Sequence, residues 1–196
     1  MVRISIAIVA LLGAMLLACR AEPELPSLGA APTYSLTDQQ GRPFGSADLA
    51  GRISLVDFIY TSCTDTCPLL SANMRQVQDE LKAAGLFGNK VVLVSFSIDP
   101  ERDTPPVLAA YAEHFSADPA AWRWLTGQTE TIAQLGQDFK LGRPIPLPLD
   151  AKSPSVNLAH SNRFVLVDGG GQMRAFYAGE ELQVDQVVGD IRRLAR

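Results

Sequence analysis

The apolar positions of this chain change period repeatedly after residue 52, and each change marks an element. Ile53-Ser-Leu-Val-Asp-Phe-Ile-Tyr60 is nearly continuous in apolar residues, as expected of a strand covered on both faces. Leu70, Met74, Val77 and Leu81 then recur at helical spacing, which predicts a helix with one buried face. Gly85 and Gly88 end it, since glycine reaches the left-handed conformation that closes a helix. Val91 to Ile98 repeats the strand pattern, Pro106 to Phe115 reads as a second helix, and Trp122 to Leu125 as a short strand. Thr129 to Phe139 is helical, and Arg143 to Ser155, with four prolines, is a loop. Arg163 to Val167 and Met173 to Tyr177 alternate on either side of Gly169-Gly-Gly171, the pattern of an antiparallel hairpin. Val184 to Leu194 closes the chain as an amphipathic helix, and Tyr34 to Leu36 opens the domain as a short strand before a turn at Asp38-Gln-Gln-Gly41.

A strand-helix-strand unit followed by a hairpin and a terminal helix predicts an α/β fold of the thioredoxin-like kind. It has a mixed central sheet flanked by helices on both faces and a β-hairpin near the C-terminus. Residues 33–196 form one domain, and the 47% hydrophobic content supplies a core. The net charge of −4 and the absence of any Lys/Arg cluster argue against a nucleic-acid partner.

The first residues carry a separate pattern. Arg3 precedes an apolar run from Ile4 to Leu17, and Leu16-Leu17-Ala18-Cys19 matches a lipoprotein processing site. The run is shorter than the roughly 20 residues of a spanning helix, so residues 1–18 read as a cleaved signal peptide. An uncleaved anchor and a simple secretory peptide are the alternatives, and all three readings export the domain. On the lipoprotein reading the protein is bacterial and Cys19 carries the lipid. Residues 19–32, rich in Ala, Pro and Glu, then form a flexible tether to the membrane, and the domain faces the periplasm or the extracellular side.

Two cysteines remain, in Cys63-Thr-Asp-Thr-Cys67-Pro68, between the first buried strand and the first helix. The carboxyl end of a strand is where an α/β fold presents reactive side chains. Positions i and i+4 share a helical face, so the two sulfurs can meet on a metal ion, close as a redox disulfide, or close as a structural one. A structural bond across so small a loop gains little, and export permits thiol–disulfide cycling. Pro68 suits the first helical position, which puts Cys67 near the N-cap, where the helix dipole favours a thiolate. His160, before the hairpin, reads either as a surface or core histidine or as a third ligand.

Phe58-Ile-Tyr-Thr-Ser-Cys63-Thr-Asp-Thr-Cys67-Pro68 resembles the signature of the SCO/SenC family of copper chaperones for cytochrome c oxidase. Ser97-Ile-Asp-Pro-Glu-Arg-Asp-Thr-Pro105, Trp122-Arg-Trp-Leu-Thr-Gly127, and Ala159-His160-Ser161 followed by Phe164-Val-Leu-Val-Asp168 resemble further segments of that family, in order and spacing. The resemblance spans Tyr34 to Leu194. It implies a copper site made of Cys63, Cys67 and His160, a set suited to Cu(I) because soft thiolates select it, with Cu(II) as the alternative state. It implies a cytochrome c oxidase subunit or another copper chaperone as partner. Ala159 stands where the family commonly has Asp, which removes any carboxylate contributed there.

A membrane-tethered thiol–disulfide oxidoreductase acting through Cys63 and Cys67 on a client's cysteine pair is the alternative function. Nothing beside the cysteines marks a peroxidatic site. Asp65 reads as a site-tuning group or an ordinary helix cap. Asp99 and Asp103 read as shapers of the copper pocket or of a docking surface, or as turn and cap residues. Met74 and Met173 read as core and strand residues, His114 as structural or solvated, and Asp57 as a buried polar residue bonded to the backbone of the site.

Overall fold

The computed structural model describes residues 23–142, 145–146, 158–159 and 162–196. Among these residues nine strands run in chain order: β1 Ser35–Asp38, β2 Pro43–Gly45, β3 Ile53–Ile59, β4 Val91–Ser97, β5 Trp122–Thr126, β6 Ile145–Pro146, β7 Leu158–Ala159, β8 Arg163–Val167 and β9 Met173–Ala178. The α-helices are α1 Thr66–Ala83, α2 Pro105–His114, α3 Thr129–Asp138 and α4 Val184–Leu194. Seven strands make one sheet in the order β2-β1-β5-β4-β3-β8-β9. The central β5, β4 and β3 are parallel, and the flanking strands join antiparallel. This is the expected mixed α/β, thioredoxin-like sheet.

All seven residues of β3 and all seven of β4 are buried, because helices cover both faces of the sheet. On one face Asp57 stands beside Ser95, and Ser95 beside Trp124. The Tyr111 ring of α2 meets Trp124 edge-on at 5.4 Å between centroids. On the opposite face Phe58 and Phe96 stack at 4.9 Å, and Phe139, capping α3, closes on Phe58 at 5.9 Å. The alternation of β3 thus sends aromatic residues to one layer and Asp57 to the other. Leu70, Met74, Val77 and Leu81 of α1 are fully buried, so Met74 belongs to the core, as does Met173. α1 ends at the C-cap Ala84, and Gly85 follows with φ of +67°. α4 lays Val187, Val188 and Ile191 inward and packs on α1.

Three features depart from the expectations. β1 begins at Ser35 and pairs with β2 across the Asp38–Gly41 turn, where Asp38 Oδ1 accepts the backbone N–H groups of Gln40 and Arg42, each at 2.9 Å. β2 is too short to show a period. The β6–β7 pair falls in and beside the segment read as a Pro-rich loop. Residues 23–32, read as tether, pack on the domain. Leu28 N–H donates to Met173 O at 2.8 Å, Met173 N–H to Gly29 O at 2.9 Å, and Ala31 N–H to Gly171 O at 2.8 Å. Arg174 and Arg193 donate to the carbonyls of Leu25 and Pro23. This strap covers the edge next to β9. Its pairing is made by the main chain, which is why an aperiodic composition concealed it. Residues 19–22 and the 1–18 segment read as a signal peptide lie outside the described residues. Among those described, no helix is long and apolar enough to cross a membrane.

Candidate metal centre

The cysteine pair sits at the carboxyl end of β3. The ladder of β3 with β4 finishes where Ile98 N–H donates to Ile59 O at 2.8 Å. The chain then leaves the sheet, and Cys63 N–H closes a turn on Tyr60 O at 3.2 Å. α1 begins at Thr66 with Asp65 as N-cap, two residues earlier than the sequence reading placed it. Cys67 is therefore the second helical residue and Pro68 the third. The proline remains tolerated because the first N–H groups of a helix have no intrahelical partner. The Asp65 side chain makes no cap hydrogen bond. The Cys67 N–H, free of the helix ladder, points instead at Cys63 Sγ, 3.4 Å away.

Neither cysteine is in a disulfide, and both are buried: Cys67 fully, Cys63 to 8% exposure. Their protons are not equivalent. The Cys67 thiol donates a hydrogen bond to Cys63, which holds the Cys63 pKa well below the usual thiol range against the opposing effect of burial. The N–H groups of Cys67 and Asp65 and the Tyr60 side chain add to that depression. The same Cys63–Cys67 bond, together with burial, pushes Cys67 up. The thiolate is thus on Cys63. The dipole argument had placed it on Cys67, but a direct hydrogen bond from the neighbouring thiol outweighs the dipole at the helix start.

A polar wall lies behind the pair. Asp57 is fully buried, and neither carboxyl oxygen has a hydrogen-bond partner. Burial pushes its pKa up to about 7, with Ser95 and the Asp57 backbone amide pulling the other way. The Ser95 hydroxyl is near enough to act electrostatically but falls short of hydrogen-bond geometry. It serves as acceptor for Trp122 Nε1–H at 3.0 Å. The expected bond from Asp57 to the backbone of the site is therefore not the arrangement found. Ser71 Oγ, Tyr111 Oη and Trp124 Nε1 are likewise buried without a hydrogen-bond partner, and burial, reinforced by the nearby acidic groups of the site, pushes the Tyr111 hydroxyl above its ordinary pKa. Ser71, Tyr111 and Trp124 went unnoticed in the sequence because each lies on a different element.

Asp99 and Asp103 have separate roles. Asp99 is held above its ordinary pKa by burial, with Arg102 opposing and Asp103 and Glu101 reinforcing. Asp103, fully buried, accepts hydrogen bonds from Thr61 and Ser97. His114 is exposed in the last turn of α2, edge-on to Phe115 at 5.1 Å. His160 and Cys19 lie outside the described residues. Asn162, two positions beyond His160, accepts a hydrogen bond from Thr66 Oγ1 at 3.3 Å and donates to Glu180 at 2.8 Å. The chain thus returns from the 143–161 segment directly onto the helix start that carries Cys67. Among the described residues no third His, Cys, Asp or Glu joins the pair in a metal-binding cluster.

Known proteins are similar to this chain over most of its length. The SCO1/SenC family model covers residues 24–196. A putative copper-binding protein of Stutzerimonas stutzeri is 32% identical over 150 residues, 76% of this chain and 70% of that protein. A SCO1/SenC family lipoprotein of Bacillus anthracis superposes with a TM-score of 0.79 at 31% identity, over 89% of this chain and 100% of that one. BsSco, a member of the Sco family of cytochrome c oxidase assembly proteins in which a disulfide switch was identified, gives 0.74 at 26% identity, over 88% and 98%. Copper-bound ScoI of Bradyrhizobium japonicum gives 0.71 at 25% identity, over 84% and 99%.

Proposed function

The chain belongs to the SCO1/SenC family, and from that premise we propose that it is a copper metallochaperone serving cytochrome c oxidase, its cargo held by Cys63, Cys67 and His160. The observation that carries the reading is the buried pair of sulfurs at the start of α1, with Cys67 N–H 3.4 Å from Cys63 Sγ. A thiolate and a thiol that sheds its proton on binding supply two soft ligands for Cu(I). His160 supplies the third from the segment that re-enters the fold at Asn162, beside Thr66. A ligand carried on a separate segment can leave without disturbing the thiols, which suits a protein that must release its metal. Delivery goes to the oxidase subunit that receives copper at its CuA site, or through another copper chaperone. Cys19 tethers the domain to the membrane through lipid, facing the periplasm or the extracellular side, in line with the lipoprotein relative.

A second reading draws on the unequal protons of the pair. A thiolate beside a proton-bearing thiol is also the arrangement of a dithiol reductant, and BsSco has a disulfide switch. In that reading the pair reduces the cysteines of the copper-receiving client. Copper stoichiometry and X-ray absorption on the reduced protein separate the two. The wild type takes up one Cu(I) with two sulfur ligands and one nitrogen. Cys63→Ser loses tight binding. His160→Ala loses the nitrogen ligand while reducing a disulfide substrate at the wild-type rate. Full copper occupancy in Cys63→Ser, or an unchanged coordination shell in His160→Ala, overturns the ligand set.

A further inference from the structure

Asp103 is buried completely, yet no cation pairs with it among the described residues. Its two oxygens are committed to three donors. Thr61 N–H reaches Oδ2 at 3.0 Å, the Thr61 hydroxyl reaches Oδ1 at 2.5 Å, and the Ser97 hydroxyl reaches Oδ2 at 2.5 Å. Short, charge-assisted bonds of this kind are roughly twice as strong as neutral ones. The carboxylate is itself fixed, because Asp103 N–H donates to Asp99 O at 2.9 Å and Thr104, the next residue, caps α2.

The position of this clamp in the ladder explains what it does. The last main-chain rung between β3 and β4 is Ile98 to Ile59. Thr61 lies beyond it, and the Asp103 side chain takes the place of the next rung. Cys63 follows two residues later. The far side of the turn is held by α1, which carries Cys67, and the near side is held at Thr61. Without that hold the turn would keep only the Cys63 N–H bond to Tyr60 O, and Cys63 Sγ would lose its fixed distance from Cys67.

We infer that Asp103 is the positioning residue of the cysteine pair, setting the reach of Cys63 toward Cys67 through its clamp on Thr61. The inference deepens the copper reading, on which its relevance to metal binding rests. Sequence motif and family membership assign the thiols; the clamp that spaces them comes from the hydrogen bonds alone. Asp103→Asn, turned so that its carbonyl oxygen occupies the Oδ2 position, keeps the Thr61 N–H and Ser97 bonds. Asp103→Ala keeps none.

The test starts from the metal-free protein at equilibrium with glutathione, where Cys63 and Cys67 thiols plus oxidised glutathione yield the intramolecular disulfide plus two reduced glutathiones. That equilibrium reads the effective concentration of one thiol at the other. Asp103→Ala should lower the equilibrium constant about tenfold or more, as the loss of hydrogen bonds to a charged group implies. Thr61→Val, which removes only the hydroxyl bond and keeps the branched shape, should lower it about threefold, and Asp103→Asn should restore most of it. Val187→Ala in α4 destabilises the fold and leaves the constant unchanged, which separates positioning from stability. Cu(I) affinity, measured against a chromogenic chelator, should fall in the same order. A constant or a copper affinity within twofold of wild type in folded Asp103→Ala overturns the inference. If Asp103→Ala does not fold, an unchanged Thr61→Val does so. A wild type that binds no copper but shows the glutathione series refutes the chaperone reading and leaves the clamp standing.

Discussion

Asp57 carries a pH dependence that follows from its burial. The carboxyl has no hydrogen-bond partner, and its pKa in the fold is pushed up to about 7, whereas an unfolded chain titrates near the ordinary carboxylate value of about 3.9. Between those two values the native protein holds a proton that the unfolded chain has released, so stability falls as pH rises through that window. The whole effect is about 4 kcal/mol at about 1.4 kcal/mol per unit. It is fully present below pH 4 and fully lost above pH 7. Asp57→Asn removes the titrating proton. Urea unfolding of wild type and variant should give similar midpoints at pH 4 and a clear advantage for the variant at pH 8. Parallel pH profiles would show that Asp57 ionises freely in the fold.

Among elements, the chain leaving β9 passes close against the start of α1 at Gly179. A Cβ on Gly179 would stand 2.1 Å from Leu70 Cδ2 and 2.9 Å from the Asn162 carbonyl oxygen. The Leu70 side chain is fully buried and has nowhere to retreat. Asn73 Nδ2 donates to Gly179 O at 2.7 Å, and Gly179 N–H donates to Asn162 O at 2.8 Å, so the backbone is held from both sides. Overpacking at such a point costs about 1–3 kcal/mol. Gly179→Ala should lower the unfolding free energy by that amount. It should also loosen the Asn162–Thr66 bond, read as faster amide hydrogen exchange in the first turn of α1. An unchanged midpoint would mean that β9 shifts away at no cost.

At the scale of the molecule, the strap over residues 23–32 ties the chain ahead of the domain to the sheet edge. Three main-chain hydrogen bonds near Leu28, Gly29 and Ala31, at about 1 kcal/mol each, give about 3 kcal/mol. Deleting residues 20–31 should cost about that much and leave the edge beside β9 open to association; analytical ultracentrifugation and urea unfolding check both. Neutral behaviour would restore the reading of a free tether. The strap meets the sheet at the turn between β8 and β9, beside the start of β3 and at the end opposite the cysteine pair. The anchor itself is tested by Cys19→Ser, which should abolish palmitate incorporation. Unchanged labelling would place the lipid elsewhere or nowhere.

The sequence by itself determined the order of elements and the pair of sulfurs. Continuous apolar runs over residues 53–59 and 91–97 can only be satisfied inside a covered sheet, and the helical spacing of Leu70, Met74, Val77 and Leu81 has one burial solution. The Cys63-Thr-Asp-Thr-Cys67-Pro68 spacing stayed legible because it is local. What the tertiary structure decided is non-local or blind to side chains. The strap pairs through main-chain groups that any residue possesses. Asp103 meets Thr61 across 42 positions, a pairing that no period announces. Which cysteine is ionised depends on which sulfur donates to the other, and two identical residues cannot declare that in a sequence. Only the fold, by turning the Cys67 N–H and thiol onto Cys63, breaks that symmetry.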